Sequence, residues 1–206
     1  ISFGDNIVSK YQEFYQRLMS GVITKNSQNS NISTELESKM HRVASGEKIG
    51  VEIHLESFQK FFGGWMPPDL IIIAARPSMG KTAFILASIW DSAQDDDNDI
   101  VFFTLEMSVN QIKNKIATRL TGIDYNRIQR AQLSQEEFSK VIQAYKIIED
   151  SNLNILGIQF CYLEKCILEC RRLHRLGKLK MIVIDYLQLM KSDKKHGSRE
   201  QEVSSI

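Results

Sequence analysis

The chain has 206 residues, 43% hydrophobic and 25% charged, which suits one α/β domain with its own core and excludes wholesale disorder. A formal net charge of +1 excludes bulk attraction to nucleic acid, so any such contact must come from local basic patches. No apolar run approaches the ~20 residues of a membrane helix, and the start, Ile1-Ser2-Phe3-Gly4-Asp5, has neither an initiator Met nor a signal pattern, so the sequence reads as part of a longer cytoplasmic protein.

Residues 6–20 place Ile7, Tyr11, Phe14, Tyr15 and Leu18 on one face and predict an amphipathic helix ended by Gly21. The polar stretch 21–33 predicts a flexible linker. A short helix is expected from Thr34 to Ala44, with Ser33 as its N-cap and Gly46 just past its end. Residues 1–47 are thus read as a helical linker segment and residues 48–206 as a nucleotide-binding domain. The first helix has no local core and is expected to dock on another surface, in this chain or on a neighbouring copy.

The continuous apolar run LIIIAA (70–75) predicts a parallel strand covered on both faces. A helix is expected from Lys81 to about Ala93, then an acidic, solvated turn over 94–99 and a strand over 100–104. Helices near 108–121 and 134–149, a short strand near 153–156, a basic helix near 162–176 and a strand over 180–185 follow. Strands alternating with helices predict a doubly wound, mainly parallel twisted sheet flanked by helices. Cys161, Cys166, Cys170 and His174 offer four soft ligands in principle. Cys166, Cys170 and His174, however, recur at i, i+4 and i+8 beside Leu163, Ile167 and Leu173, which predicts the buried stripe of a helix rather than a metal site.

ARPSMGKT (75–82) lies between an apolar run and an apolar helix, the setting that the phosphate-binding pattern G-x-x-x-x-G-K-[ST] requires. Ala75 stands where the pattern has its first Gly, and a small residue still fits. Arg76, Pro77, Ser78, Met79, Gly80, Lys81, Thr82 and Ala83 would wrap the phosphates of a nucleoside triphosphate with their backbone. Lys81 would reach the β- and γ-phosphates, and Thr82 would give an oxygen to Mg²⁺. Asp185 ends the apolar strand MIVID, where a Walker-B carboxylate belongs, and would hold the same ion through water.

Glu106 follows the strand IVFFT at the edge where open α/β sheets bind ligands. It is placed either to polarise an attacking water as general base or to start a helix with a favourable charge. Gln188, three residues after Asp185, is placed to sense the γ-phosphate, to orient the attacking water or merely to cap its strand. Over 191–199, Lys191, Lys194, Lys195 and Arg199 stand against one acidic residue, Asp193. Charge alone suits either the backbone of single-stranded DNA or an ordinary solvated loop. No aromatic residue interleaves the segment, so weak sequence preference is expected.

In this order and spacing, FFGGWMPPDLIIIAARPSMGKTAF (61–84), FTLEMS (103–108), VIDYLQLM (183–190) and SREQEVSSI (198–206) resemble the RecA-like motor domain of DnaB-type replicative DNA helicases. The likeness covers roughly 48–206. It implies a RecA-like P-loop NTPase core, Mg²⁺-dependent ATP hydrolysis and movement on single-stranded DNA by a hexameric ring of identical subunits. It implies Glu106 as catalytic base, Lys81 on the phosphates, Gln188 as coupler to the DNA-binding loop, and Lys191, Lys194, Lys195 and Arg199 on DNA. Primase and a helicase loader are implied as partners, through parts this sequence does not contain.

The first helix resembles the linker helix that packs on an adjacent subunit of such rings. The chain departs from the pattern at 153–166, which lacks an acidic-Thr-Pro turn, and at Ala131, where Gly is usual. It also stops inside the third motif, before the arginine finger, so these residues alone are expected to be weakly active or inactive. A RadA-like recombination ATPase and a nucleotide-binding docking module without activity are the alternatives. The YLQLM and REQEVS stretches speak against the first, and intact Lys81, Thr82, Glu106 and Asp185 against the second.

Overall fold

The computed structural model describes residues 32–46, 50–76, 78–95, 98–177 and 179–191. The helix expected over 6–20, Pro77 and the basic residues Lys194, Lys195 and Arg199 lie outside the described residues. Helix α1 (Ile32–Ala44) takes in Ser33, which corrects its expected role as N-cap. His41 and Arg42 in its last turn oppose the helix dipole, and Gly46 follows with φ 81. Leu36, Met40 and Val43, spaced along one stripe of α1, are exposed.

Three parallel strands form the sheet in the order β2-β1-β3: β1 (Asp99–Thr104), β2 (Leu153–Leu156) and β3 (Leu179–Asp185). Parallel neighbours need crossover connections, and helices supply them. From β1 the chain runs through α4 (Val109–Thr121), α5 (Tyr125–Gln129) and α6 (Gln135–Asp150) to β2 at one edge. It then returns through α7 (Leu163–Arg175) to β3 on the other side of β1. Crossovers that advance in opposite directions cover opposite faces.

The alternation of β1 records this. Ile100 and Phe102 join a core with α4 and α6, whereas Val101 and Phe103 join a second core with α7. Both cores are apolar, so the central strand is buried on both sides, as its continuous apolar sequence requires. Cys161, Cys166 and Cys170 lie buried in the second core; Cys166 and Cys170 follow the stripe read from their spacing, whereas His174, expected on that stripe, is exposed in the last turn of α7.

Local chemistry sets the helix ends. Ser108 and Ser134 each build a capping box, with Gln111 and Glu137 respectively, satisfying orphan N–H groups of α4 and α6. Gly122 ends α4 in the left-handed conformation with φ 71. Between α5 and α6, Ala131 takes φ 53, the conformation for which glycine is suited.

One boundary and two elements differ from expectation. Helix α3 (Lys81–Ile89) stops before Ala93, and a 3-10 turn at Ser92–Gln94 takes over, fastened by Asn98, whose side chain donates to the Ser92 carbonyl. Helix α2 (Glu56–Phe62), which no periodicity announces, precedes the Gly63-Gly64 pair. The strand expected over 70–75 is absent: these residues carry no regular secondary structure. Ile73 packs on the first core, while Leu70, Ile71 and Ile72 are 38%, 40% and 42% exposed. A strand exists only where a neighbour takes its N–H and C=O groups, and no ladder among the described residues reaches this run.

Candidate nucleotide site

The site gathers at the carboxyl ends of β1 and β3, against the start of α3. Gly80 is the N-cap of α3 with φ 83, a backbone region open to glycine and strained for other residues. The turn before it is tight: Met79 N–H donates to the Arg76 carbonyl over 3.3 Å, and Ser78 takes φ 64. Arg76, Ser78, Met79 and Ala83 are all exposed around this turn. The first N–H groups of α3 have no partner within their own helix, which makes this end a natural place for an anion.

Lys81 and Thr82 both turn to Asp185. The Thr82 hydroxyl donates to Asp185 Oδ2 over 2.5 Å, and Lys81 Nζ lies 3.3 Å from Oδ1. Asp185 is only 1% exposed, and its Oδ1 accepts no hydrogen bond from the described residues. A buried carboxylate needs compensation, which the ammonium and the hydroxyl supply here. Two hard oxygen atoms, one from Thr82 and one from Asp185, also fit the donor preference of Mg²⁺.

Glu106 is exposed and stands two residues beyond Thr104, the register partner of Asp185. Leu105 N–H donates to the Asp185 carbonyl over 2.8 Å, fastening this corner to the carboxyl end of β3. Helix α4 begins at Val109 and has no acidic residue in its first turn, so Glu106 lies outside the helix it was weighed as starting. Gln188 is exposed in the 3-10 turn Leu187–Leu189. The fold thus brings Lys81, Thr82, Glu106 and Asp185 to one edge.

Sequence reasoning passed over two features. The first is Tyr186, whose ring centroid lies 4.5 Å from Lys81 Nζ. Strict alternation along a strand would send residues 185 and 186 to opposite faces, so no pattern pointed to it. The second is an aromatic wall. A cavity of about 720 Å³ beside Gly80 and Lys81 is lined by Phe58, Phe62, Trp65 and Leu70, with Phe58 edge-on to Phe84 at 5.0 Å. The pairs FF and GGW at 61–65 were the available signal.

Of the expected DNA-binding residues, Lys191 is described. It forms an isolated parallel bridge with Tyr162, and its N–H donates to the Cys161 carbonyl over 2.7 Å. The Tyr162 ring lies within 5.5 Å of the Lys165 ammonium and 5.9 Å of the Lys191 ammonium, an aromatic neighbour supplied by the fold rather than by adjacent sequence. Among the described residues no helix is long and apolar enough to cross a membrane.

Comparison with known proteins identifies the family and the fold. The replicative DNA helicase DnaB of Geobacillus stearothermophilus is 32% identical over 203 residues, covering 98% of this chain and 44% of its own length. That of Synechocystis is 34% identical over 178 residues, covering 85% of this chain and 20% of its own length. The chain therefore spans less than half of these relatives. Among solved structures, an ATPase domain superposes with a TM-score of 0.69 at 26% identity, over 85% of this chain and 63% of that one. A DnaB-like replicative helicase, described with its interactions with primase, shares the fold at a TM-score of 0.65 and 23% identity, over 96% of this chain and 52% of that one. These neighbours make the three-stranded sheet and its helices part of a RecA-like ATPase core. The model of the DnaB-like helicase C terminal domain matches residues 50–206, and the chain belongs to that family.

Proposed function

We propose that this chain is the motor domain of a replicative DNA helicase. It hydrolyses ATP and moves on single-stranded DNA to open the duplex, working in a hexameric ring of identical subunits. The observation that carries this is the meeting of Lys81 and Thr82 with Asp185, residues about a hundred positions apart that a phosphate loop and a Walker-B strand must bring together. The family match favours this reading over a RadA-like recombination ATPase.

Thr82 and Asp185 are the groups that would hold Mg²⁺. Bound there, the ion would neutralise charge developing on the β- and γ-phosphates. Gly80 and the start of α3 orient the triphosphate with backbone N–H groups, and Lys81 adds a point charge. Glu106, open to solvent, takes a proton from the attacking water. Gln188 sits on the turn that leads from Asp185 to Lys191, so a shift at the phosphates reaches the basic segment 191–199 through a short path. Lys191, Lys194, Lys195 and Arg199 hold the DNA backbone electrostatically. We read residues 1–47 as the linker toward a neighbouring subunit, and primase and a loader as partners of the complete protein.

The test uses the full-length protein. ATP hydrolysis stimulated by single-stranded DNA, abolished by Lys81→Ala, together with unwinding of a forked duplex, is the expected result. Hydrolysis without unwinding would return the RadA-like alternative.

A further inference from the structure

Lys81 rests against two surfaces supplied by consecutive residues. Its Nζ is 3.3 Å from Asp185 Oδ1 and 4.5 Å from the centroid of the Tyr186 ring. An ammonium within ~6 Å of a ring centroid is attracted by the negative face of the ring. The Lys81 side chain is one-quarter exposed, so water weakens these contacts only in part. The two surfaces differ in what else they must do. Asp185 already accepts the Thr82 hydroxyl, and a divalent cation on those two side chains would draw on the same carboxylate. Such an ion would also repel a nearby ammonium by like charge. The ring face of Tyr186 offers no lone pair to a metal and carries no such conflict.

We propose that Tyr186 is a positioning residue for Lys81. Its ring face holds the ammonium beside Gly80 when the Asp185 carboxylate is shared with a metal, so the lysine stays where a phosphate meets it. This rests on the phosphate-site reading given above and adds a residue to it. Replacing the ring takes one of the two surfaces from Lys81 while the Thr82 hydroxyl and the Asp185 carboxylate are kept.

Titration of the full-length protein with a fluorescent ADP, with and without Mg²⁺, tests the assignment. Tyr186→Phe keeps the ring face and should bind within about twofold of the unaltered protein, whereas Tyr186→Leu should bind about fivefold more weakly with Mg²⁺ and be less affected without it. In a Lys81→Ala background, Tyr186→Leu should change nothing further, because the ring has lost its client; a residue that merely fills space would cost the same in both backgrounds. Tyr186→Met serves in place of the leucine variant should that one fail to fold, as judged by thermal melting. Equal losses in both backgrounds, equal losses with and without Mg²⁺, or no loss at all would overturn the role of Tyr186. Absence of any binding by the unaltered protein would remove the phosphate site itself, and this role with it.

Discussion

The Thr82 hydroxyl and the Asp185 carboxylate meet over 2.5 Å across 103 positions of sequence, joining the first turn of α3 to the end of β3. Hydrogen bonds to charged groups contribute about 1.5–3 kcal/mol, and leaving a buried acceptor short forfeits most of that. Thr82→Val preserves shape and removes the donor. It should destabilise the fold by about 1–3 kcal/mol in denaturant unfolding, and Thr82→Ser should restore most of the loss.

Glu106 offers a cleaner separation of chemistry from structure, because its side chain is exposed and sits outside any helix. Glu106→Gln should leave the melting temperature and nucleotide affinity near their original values. ATP turnover in the full-length protein should fall by about 10²-fold or more, the usual contribution of a positioned general base. Unchanged turnover would remove Glu106 from the mechanism.

Ala131 holds φ 53 at an exposed turn where the Gln132 N–H reaches back to the Arg127 carbonyl over 2.9 Å. A left-handed non-glycine residue costs about 1–2 kcal/mol, of which the greater freedom of an unfolded glycine returns part. Ala131→Gly should therefore stabilise the chain by about 0.5–1 kcal/mol, read as a higher denaturant midpoint. Ala131→Val should do the opposite.

The buried thiols carry a pH signature. Burial pushes the Cys170 thiol from 9.0 up to about 12, with the nearby Glu169 adding to it, and burial raises Cys166 as well. In the unfolded chain these thiols ionise near 9.0, so between there and the folded value the unfolded state releases protons that the folded state keeps. The stability they contribute is complete below that pH and is lost as pH rises above it. Unfolding midpoints measured from neutral to strongly alkaline pH should fall more steeply in the native sequence than in a Cys166→Ala, Cys170→Ala variant. Both thiols should resist alkylation near pH 8 until denaturant is added.

How much of this was legible beforehand differs by residue. β1 and β3 were readable because a strand buried on both faces must be apolar throughout, and Ile100–Phe103 and Met181–Ile184 are. The helices expected near 108–121 and 134–149 appear as α4 and α6, each started by a capping box, at Ser108 and Ser134, that the sequence reading did not name. Lys81, Thr82 and Asp185 were legible because a phosphate loop constrains spacing as well as residue type. The run 70–75 misled for the complementary reason: apolar composition records burial preference, while a strand also needs a partner that composition does not name. Tyr186 and the Tyr162–Lys191 pairing were hidden because both are contacts between segments distant in sequence or set by local backbone geometry.

Leu70, Ile71 and Ile72 form an uncharged, partly exposed apolar stretch whose backbone no ladder among the described residues pairs. Such a stretch invites pairing with its like from another molecule, so these 206 residues in isolation should self-associate as concentration rises. Light scattering would register that as growing particle size, and Ile71→Lys should restore solubility.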